Sequence, residues 1–514
     1  MNSNTEKSQR IAKNTLLLYF RTFIVLLISL YTSRVILRTL GVEDFGIYNV
    51  VGGVIVMLGY LTNSLSAASS RYITYDLGKG DLKQMKTTFG NILTIHFIMA
   101  GIIILIAETA GLWFVNTQLN IPIERQNAAM WVYQFAILSS AIALIGVPYN
   151  SAIIAHEKMS AFAYISILDV VLKLVIASIL PFIPYDRLII YSFLFLCIQF
   201  FDRIMYGVYC TKHFKETTAP LYYNKKVFKE IFTFAGWTMN GNLAAMGFSQ
   251  GLNMLLNIFY GPVVNAARGI AIQVQSATQQ FCSNFQMALN PQLTKSYAQG
   301  NLDYMHKLLI KSSKFSFYIL LFIVLPLMFE AEFVLKIWLG IVPEHTANFL
   351  RLILITGLLY TLANPIIVSV HATGNIKKFQ IIEGCMLLTI VPIAYLLLKL
   401  TKVPPESVFV VHIIVEICTQ YVRLKIVLPM INLKFSTYIK QVISPILLVI
   451  ILSPLIPFTV HHYINQGDWE TFLEMCIICV LCTSFIIYKL GCTASERKFL
   501  LERIKAFSQK IVCK

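Results

Sequence analysis

Fourteen apolar stretches of bilayer-spanning length occupy nearly all of this chain and leave no room for a sizeable water-soluble domain. A hydrocarbon core of about 30 Å needs about 20 helical residues. Residues 16–37, 48–68, 92–114, 131–155, 162–182, 188–209 and 231–260 meet that length in the first part of the chain. Residues 263–289, 315–338, 349–370, 379–400, 408–428, 442–460 and 472–490 meet it in the rest. Only 13% of the residues are charged, against roughly 25% in a soluble domain. Lipid offers no hydrogen bonds, so such stretches satisfy their backbone groups internally as helices. The expected fold class is an all-α polytopic membrane protein with about 14 transmembrane helices.

Charge in the connections sets the orientation. Alternate connections are basic: Lys7, Arg10 and Lys13 before the first stretch; Arg71, Lys79, Lys83 and Lys86 after the second; Lys212 to Lys229 after the sixth. The opposite connections and the span ends beside them are sparser in basic residues, with Arg38, Arg125, Arg187, Arg268, Lys399 and Lys402. By the positive-inside rule both termini are cytoplasmic, which requires an even number of spans. A formal charge of +17 spread over short loops suits anionic lipid headgroups and argues against a nucleic-acid partner. The basic tail at 491–514 carries Phe499, Leu500, Ile504 and Phe507 at helical spacing, so it lies along the membrane surface or is a solvated helix. No cleavage site follows the first apolar segment, which is expected to stay as the first span.

The chain aligns with itself. A shift of 220 superimposes Gly41 on Gly261, Ala68 on Ala288, Thr74 on Thr294, Gly80 on Gly300 and Met85 on Met305. A shift of 217 brings Pro148, Ala155 and Phe162 onto Pro365, Ala372 and Phe379. The expected organisation is a six-helix bundle at 1–210, a cytoplasmic linker at 211–230, a second six-helix bundle at 231–430, an extra helix pair at 431–490 and the tail at 491–514. Parallel repeats of this kind place a substrate path where the halves meet.

Polar residues inside the apolar stretches point to that path. Asn242, Ser249, Gln250, Asn253 and Asn257 fall within about a 100° arc of the seventh span. In the eighth, Arg268, Gln275, Gln279 and Gln286 fall within about 40°. Amides in hydrocarbon need partners, either other helices or a water-filled cavity. Arg21 lies in the first span, Asp169 and Lys173 lie four apart in the fifth, and His412 lies one turn before Glu416 in the twelfth. Asp169 with Lys173 suits an ion pair, and His412 with Glu416 suits a buried pair, a proton relay or a site for a coupling cation such as H+ or Na+. Cys476, Cys479 and Cys482 lack a fourth ligand and read as packing residues, so no metal or cofactor is expected.

The run L-R-T-L-G-V-E-D-F-G-I-Y-N-V-V from Leu37 to Val51, followed by S-S-R-Y-I-T before a basic loop, resembles the start of bacterial polysaccharide-biosynthesis flippases, including the O-antigen flippases. These belong to the multidrug, oligosaccharidyl-lipid and polysaccharide exporter superfamily. The resemblance implies a MATE-like fold of two six-helix bundles plus two C-terminal helices in the bacterial inner membrane. It also implies movement of an undecaprenyl-diphosphate-linked glycan from the cytoplasmic to the periplasmic leaflet by alternating access. Arg21 and Arg268 are the nearest fits to cationic residues that hold the diphosphate, with Asn242, Gln250, Asn253, Asn257, Gln275 and Gln279 suited to sugar hydroxyls. A polysaccharide polymerase machinery would take the product. No nucleotide-binding loop is present, so the energy must come from an ion gradient, the membrane potential or product consumption.

Two other readings compete. A MATE-type antiporter of cationic drugs would favour acidic and aromatic cavity walls. A membrane glycosyltransferase or polymerase would need an external acidic motif, for which Glu43 and Asp44 are candidates; capping or turn roles suit them better, and a non-enzyme is expected.

Overall fold

The computed structural model describes residues 2–56, 59–118, 121–463 and 468–498; the tail from 499 onward lies outside the described residues. The helices are α1 (Asn2–Val56), α2 (Gly59–Lys79), α3 (Leu82–Thr117), α4 (Ile123–Ala155), α5 (Met159–Phe182), α6 (Arg187–His213), α7 (Lys225–Tyr260) and α8 (Pro262–Ala298). They continue as α9 (Leu302–Phe329), the short α10 (Ala331–Leu339), α11 (Thr346–Thr373), α12 (Lys377–Leu400), α13 (Ser407–Met430), α14 (Phe435–Tyr463) and α15 (Trp469–Gly491). No strand occurs among the described residues.

Among the described residues, eleven helices are long and apolar enough to cross a membrane: Ile11–Gly41 of α1, then α3 to α6, α9, and α11 to α15. The expected spans at 48–68, 231–260 and 263–289 are helical where described, as the end of α1 with α2, and as α7 and α8. The stretch 48–68 contains residues 57 and 58, which lie outside the described residues, while α7 and α8 fall short of the same apolar measure because they carry amides where the others carry aliphatic side chains.

Packing divides the described chain into two units. The first holds residues through Leu243 together with 287–301 and 371–381; the second holds the remainder. In the first unit α4 packs along α6, α3 and α2, and α1 packs along α5. Tyr133 is fully buried there, and its hydroxyl donates to the Ala107 carbonyl at 2.7 Å. Leu16, Phe20, Phe23 and Leu27 of α1 recur at helical spacing and are exposed, as a lipid-facing surface requires. In the second unit α9, α14 and α15 pack together, and α12 packs on α13. The Lys314 ammonium, 1% exposed, reaches the Glu496 carboxylate at 2.8 Å and ties the segment after α15 to α9.

The internal repeat has a backbone counterpart. Gly41 and Gly261 both have positive φ, 81° and 82°, and each separates two helical segments. Gly80 and Gly300, at 78° and 71°, end α2 and α8 in the same way. An L side chain is disfavoured in this region, so these glycines set the turns. At the shift of 217, Pro148 and Pro365 lie inside α4 and α11, and the turns that follow place Glu157 (φ 58°) opposite Gly374 (φ 79°) in the alignment.

Asp44 takes part in an ion pair. Arg125 donates to Asp44 and to Asp186, each with a closest approach of 2.6 Å, and joins three connections of the first unit. Asp186 also caps α6, accepting from Leu188 N at 3.0 Å and Ile189 N at 3.3 Å. Burial alone would raise the Asp186 carboxyl, but Arg125 and the two amides outweigh it and hold the group below its ordinary 3.8. This contribution is therefore present above about pH 4 and is lost as the pH falls through the depressed value. In detergent, the melting temperature of the wild type should drop on acidification below that point, and Asp186→Asn should drop less. Since the side chain is 30% exposed, the difference should be about 1 kcal/mol or less. Parallel pH profiles for the two proteins would contradict this.

Candidate functional site: a cavity in the second unit

The amide-bearing faces of α7 and α8 become intelligible in the second unit. A cavity of about 350 Å³ is walled by Ser249 and Phe248 of α7, by Arg268, Gln275, Ser276 and Gln279 of α8, and by Thr356 and Tyr360 of α11. His412, Glu416 and Arg423 of α13 complete its polar lining. This volume lies at the lower end of small-ligand pockets.

Arg268 dominates the site. Its side chain donates to the Ser249 carbonyl at 2.9 Å, to Ser249 Oγ at 3.2 Å and to Asn253 Oδ1 at 3.1 Å. All three acceptors are neutral, and no carboxylate lies within salt-bridge distance among the described residues. The residue is 7% exposed and its Nε is buried without a partner. A guanidinium so placed retains unspent capacity for an anion.

Glu416 is differently placed. Arg423, one heptad along α13 and on the same face, donates to Glu416 Oε1 at 2.5 Å and to Glu383 Oε1 of α12 at 2.7 Å. It also reaches Gln420 Oε1 at 3.2 Å. The carboxylate of Glu416 thus belongs to a buried ion cluster and is not paired with His412. The His412 ring packs near Phe248, with centroids 5.1 Å apart. Sequence reading missed Arg423; the signal available was its i+7 spacing from a buried glutamate.

The other candidates are dispersed. Gln275 donates to the Ile353 carbonyl at 3.0 Å, Gln279 to the Gly357 carbonyl at 3.3 Å and Gln286 to the Thr361 carbonyl at 3.1 Å, so this stripe also fastens α8 to α11. Gln279 keeps its Oε1 buried and unpartnered. Asn253 stands behind Arg268, while Gln250 and Asn257 are exposed and are not cavity walls. Asn242 belongs to the first unit, where its amide donates to Ser64 Oγ at 2.9 Å.

Arg21, Asp169 and Lys173 are also in the first unit. Lys173 pairs with Asp169 at 2.8 Å, and the Arg21 guanidinium lies 5.0 Å from the Phe162 ring centroid, close enough to Tyr206 and Asp169 for electrostatic interaction. Asp202 of α6 adjoins Asp169, which makes this a cluster of two acids and two bases. Asp202 was legible only as an isolated acid inside an apolar span.

No protein-family model matches the chain, and no curated protein does. Solved structures do match. A MATE protein in its bent conformation aligns with a TM-score of 0.72 at 15% identity, over 83% of this chain and 96% of that one. The outward-facing conformation of a multidrug resistance MATE family transporter of the MOP superfamily aligns with a TM-score of 0.70 at 14% identity, over 83% and 96%. A MOP-superfamily transporter from Pyrococcus furiosus, described as having a binding pocket of reversed polarity that suggests a different function, aligns at 0.69 and 14%, over 83% and 96%. The chain therefore has the fold of MATE transporters of the MOP superfamily. The likeness at this identity concerns the fold.

Proposed function

We propose that this protein is a flippase for lipid-linked oligosaccharides, moving an undecaprenyl-diphosphate-linked glycan across the bacterial inner membrane by alternating access. The observation that carries this reading is Arg268: a buried guanidinium, held only by neutral acceptors among the described residues, on a cavity wall shared with Gln275, Gln279, Ser249 and Ser276. Such a wall suits a phosphate or an acidic sugar together with its hydroxyls, and repels a cationic drug. Arg21 offers a second cation in the first unit. On this reading α2, α7 and α8 are the polar members of a fourteen-span set, both termini are cytoplasmic, and the protein moves its cargo without altering it covalently. A polysaccharide polymerase consumes the cargo on the far side.

Coupling to H+ or Na+ would draw on Asp169 and Lys173 in the first unit or on His412 in the second. Glu416 is a poorer candidate because Arg423 already occupies it. The alternative, a cation-coupled drug antiporter, draws support from the MATE fold and from the paired acids Asp169 and Asp202.

Deletion in the native host should leave the lipid-linked glycan on the cytoplasmic leaflet. Arg268→Ala should reduce export about tenfold or more at unchanged protein abundance, as loss of a charge-assisted anion contact implies. Normal surface polysaccharide in the deletion strain, with no second transporter, would remove the proposal. Efflux of a lipophilic cation that depends on this protein, with glycan unaffected, would favour the antiporter.

A further inference from the structure

His412 is an ionisable cavity residue whose surroundings leave it without a task. It lines the cavity of the second unit, and its ring nitrogens hydrogen-bond nothing among the described residues. The groups facing it are Arg268 on α8, Glu416 and Arg423 on its own helix α13, Tyr360 on α11, and Glu383 on α12 behind Arg423. With a neutral imidazole the charges of Arg268, Arg423, Glu383 and Glu416 cancel.

An anion arriving at Arg268 breaks that balance. It leaves one net negative charge if it is a carboxylate and two if it is a diphosphate diester, beside side chains that are themselves buried, where uncompensated charge is expensive. A proton would offset one of those charges. Both glutamates are already engaged, each with a carboxylate oxygen accepting from Arg423, at 2.7 and 2.5 Å. The imidazole has free nitrogens open to the cavity and no such restraint.

We propose that this cavity binds one anionic group and one proton together, the anion on Arg268 and the proton on His412. The anion is a diphosphate diester or the carboxylate of an acidic sugar, two chemistries that a guanidinium with neighbouring amides accepts alike. The inference rests on the flippase reading only for the source of the anion. Because the two sites are linked, whatever raises proton occupancy at His412 raises anion affinity, and the reverse.

The test uses the purified full-length chain in detergent and two probes whose charge is fixed near neutral pH, dimethyl diphosphate and methyl β-glucuronide. Calorimetric titration should show at least one of them binding about tenfold more tightly at about pH 6 than at about pH 8, the limit for one linked proton being about tenfold per pH unit. Titration in buffers of different ionisation enthalpy should show about one proton taken up per anion, a measurement on the wild type that needs no variant. His412→Gln should bind with the weaker affinity at both pH values, and Arg268→Gln should lose binding at both. The probe that binds names the source of the anion. Absence of binding by either probe, an affinity that does not change with pH, or a pH slope retained in His412→Gln would overturn the proposal. A chain that exports glycan in cells yet binds anion without a proton would sink this inference alone and leave the flippase reading standing.

Discussion

Arg423→Leu should be among the most damaging single substitutions in this protein. It leaves Glu383 and Glu416, both buried, facing each other without the guanidinium that lies 2.7 Å from one and 2.5 Å from the other. Breaking a buried ion cluster by removing one partner costs about 3–5 kcal/mol, because the remaining charges stay desolvated. The expected readout is a large fall in melting temperature in detergent and loss of monodisperse protein on size exclusion. The triple variant Arg423→Leu, Glu383→Gln, Glu416→Gln removes the stranded charges and should recover much of the loss. A single variant as stable as the wild type would show that the cluster does not hold α12 to α13; a triple variant no better than the single would show that lost packing, not stranded charge, is the cause.

The second large effect is expected at Glu157, in the turn between α4 and α5. Its carboxylate receives Lys295 at 2.6 Å and Gln292 at 2.8 Å, both from the part of α8 that belongs to the first unit, and Asn14 donates to its backbone carbonyl at 3.2 Å. Glu157→Ala removes a carboxylate acceptor from a largely buried ammonium and a buried amide while keeping a residue with a Cβ at positive φ. A loss of about 2–4 kcal/mol is expected. Glu157→Gly removes the same carboxylate but suits the left-handed backbone, so it should be about 1 kcal/mol more stable than Glu157→Ala. Equal stability of the two variants would mean that the backbone at this turn relaxes without cost. Lys295→Met combined with Glu157→Gly closes a cycle that separates the ion pair from the rest.

The aligned turn in the other repeat is secured by different chemistry. Where Glu157 offers a carboxylate, Gly374 offers none, and the cation comes to backbone oxygens instead. Arg71 of α2 donates to the carbonyls of His371 and Ala372 at 3.1 and 3.3 Å, with its guanidinium over Tyr72 and Tyr75. A Cβ built on Gly374 would stand 2.6 Å from the Arg71 side chain, so the glycine serves close approach as well as the turn. The two turns that align at the shift of 217 thus have an element in common, each holding a basic residue of another helix.

Much of the architecture is legible in the amino-acid sequence, and the reason is specific. In hydrocarbon a segment has one way to satisfy its backbone, so apolar length alone announces helices such as α3, α5 and α9. The repeat was legible through Gly41 with Gly261 and Gly80 with Gly300, because positive φ narrows the choice of residue to nearly one. Three polar helices were also legible as helices, but not as to what their amides do. The spacing of Gln275, Gln279 and Gln286 leaves open whether they meet other helices or a water-filled cavity; each donates to a carbonyl of α11, and the first two also face a cavity.

Periodicity along a helix tells which residues share a face, and so the chain itself determined the all-helical class, the position of most helices, the internal repeat and the presence of Arg268 among amides. It could not tell which residue of another helix meets that face. His412 and Glu416 share a face of α13, yet Arg423 and Glu383 capture the glutamate and leave the imidazole to the cavity; Asn242 and Asn253 share a face of α7, yet one bonds Ser64 in the first unit and the other holds Arg268 in the second. Those choices were left to tertiary packing because a buried charge or amide is stabilised by whichever partner the neighbouring helix brings within about 3 Å, a distance no one-dimensional pattern encodes.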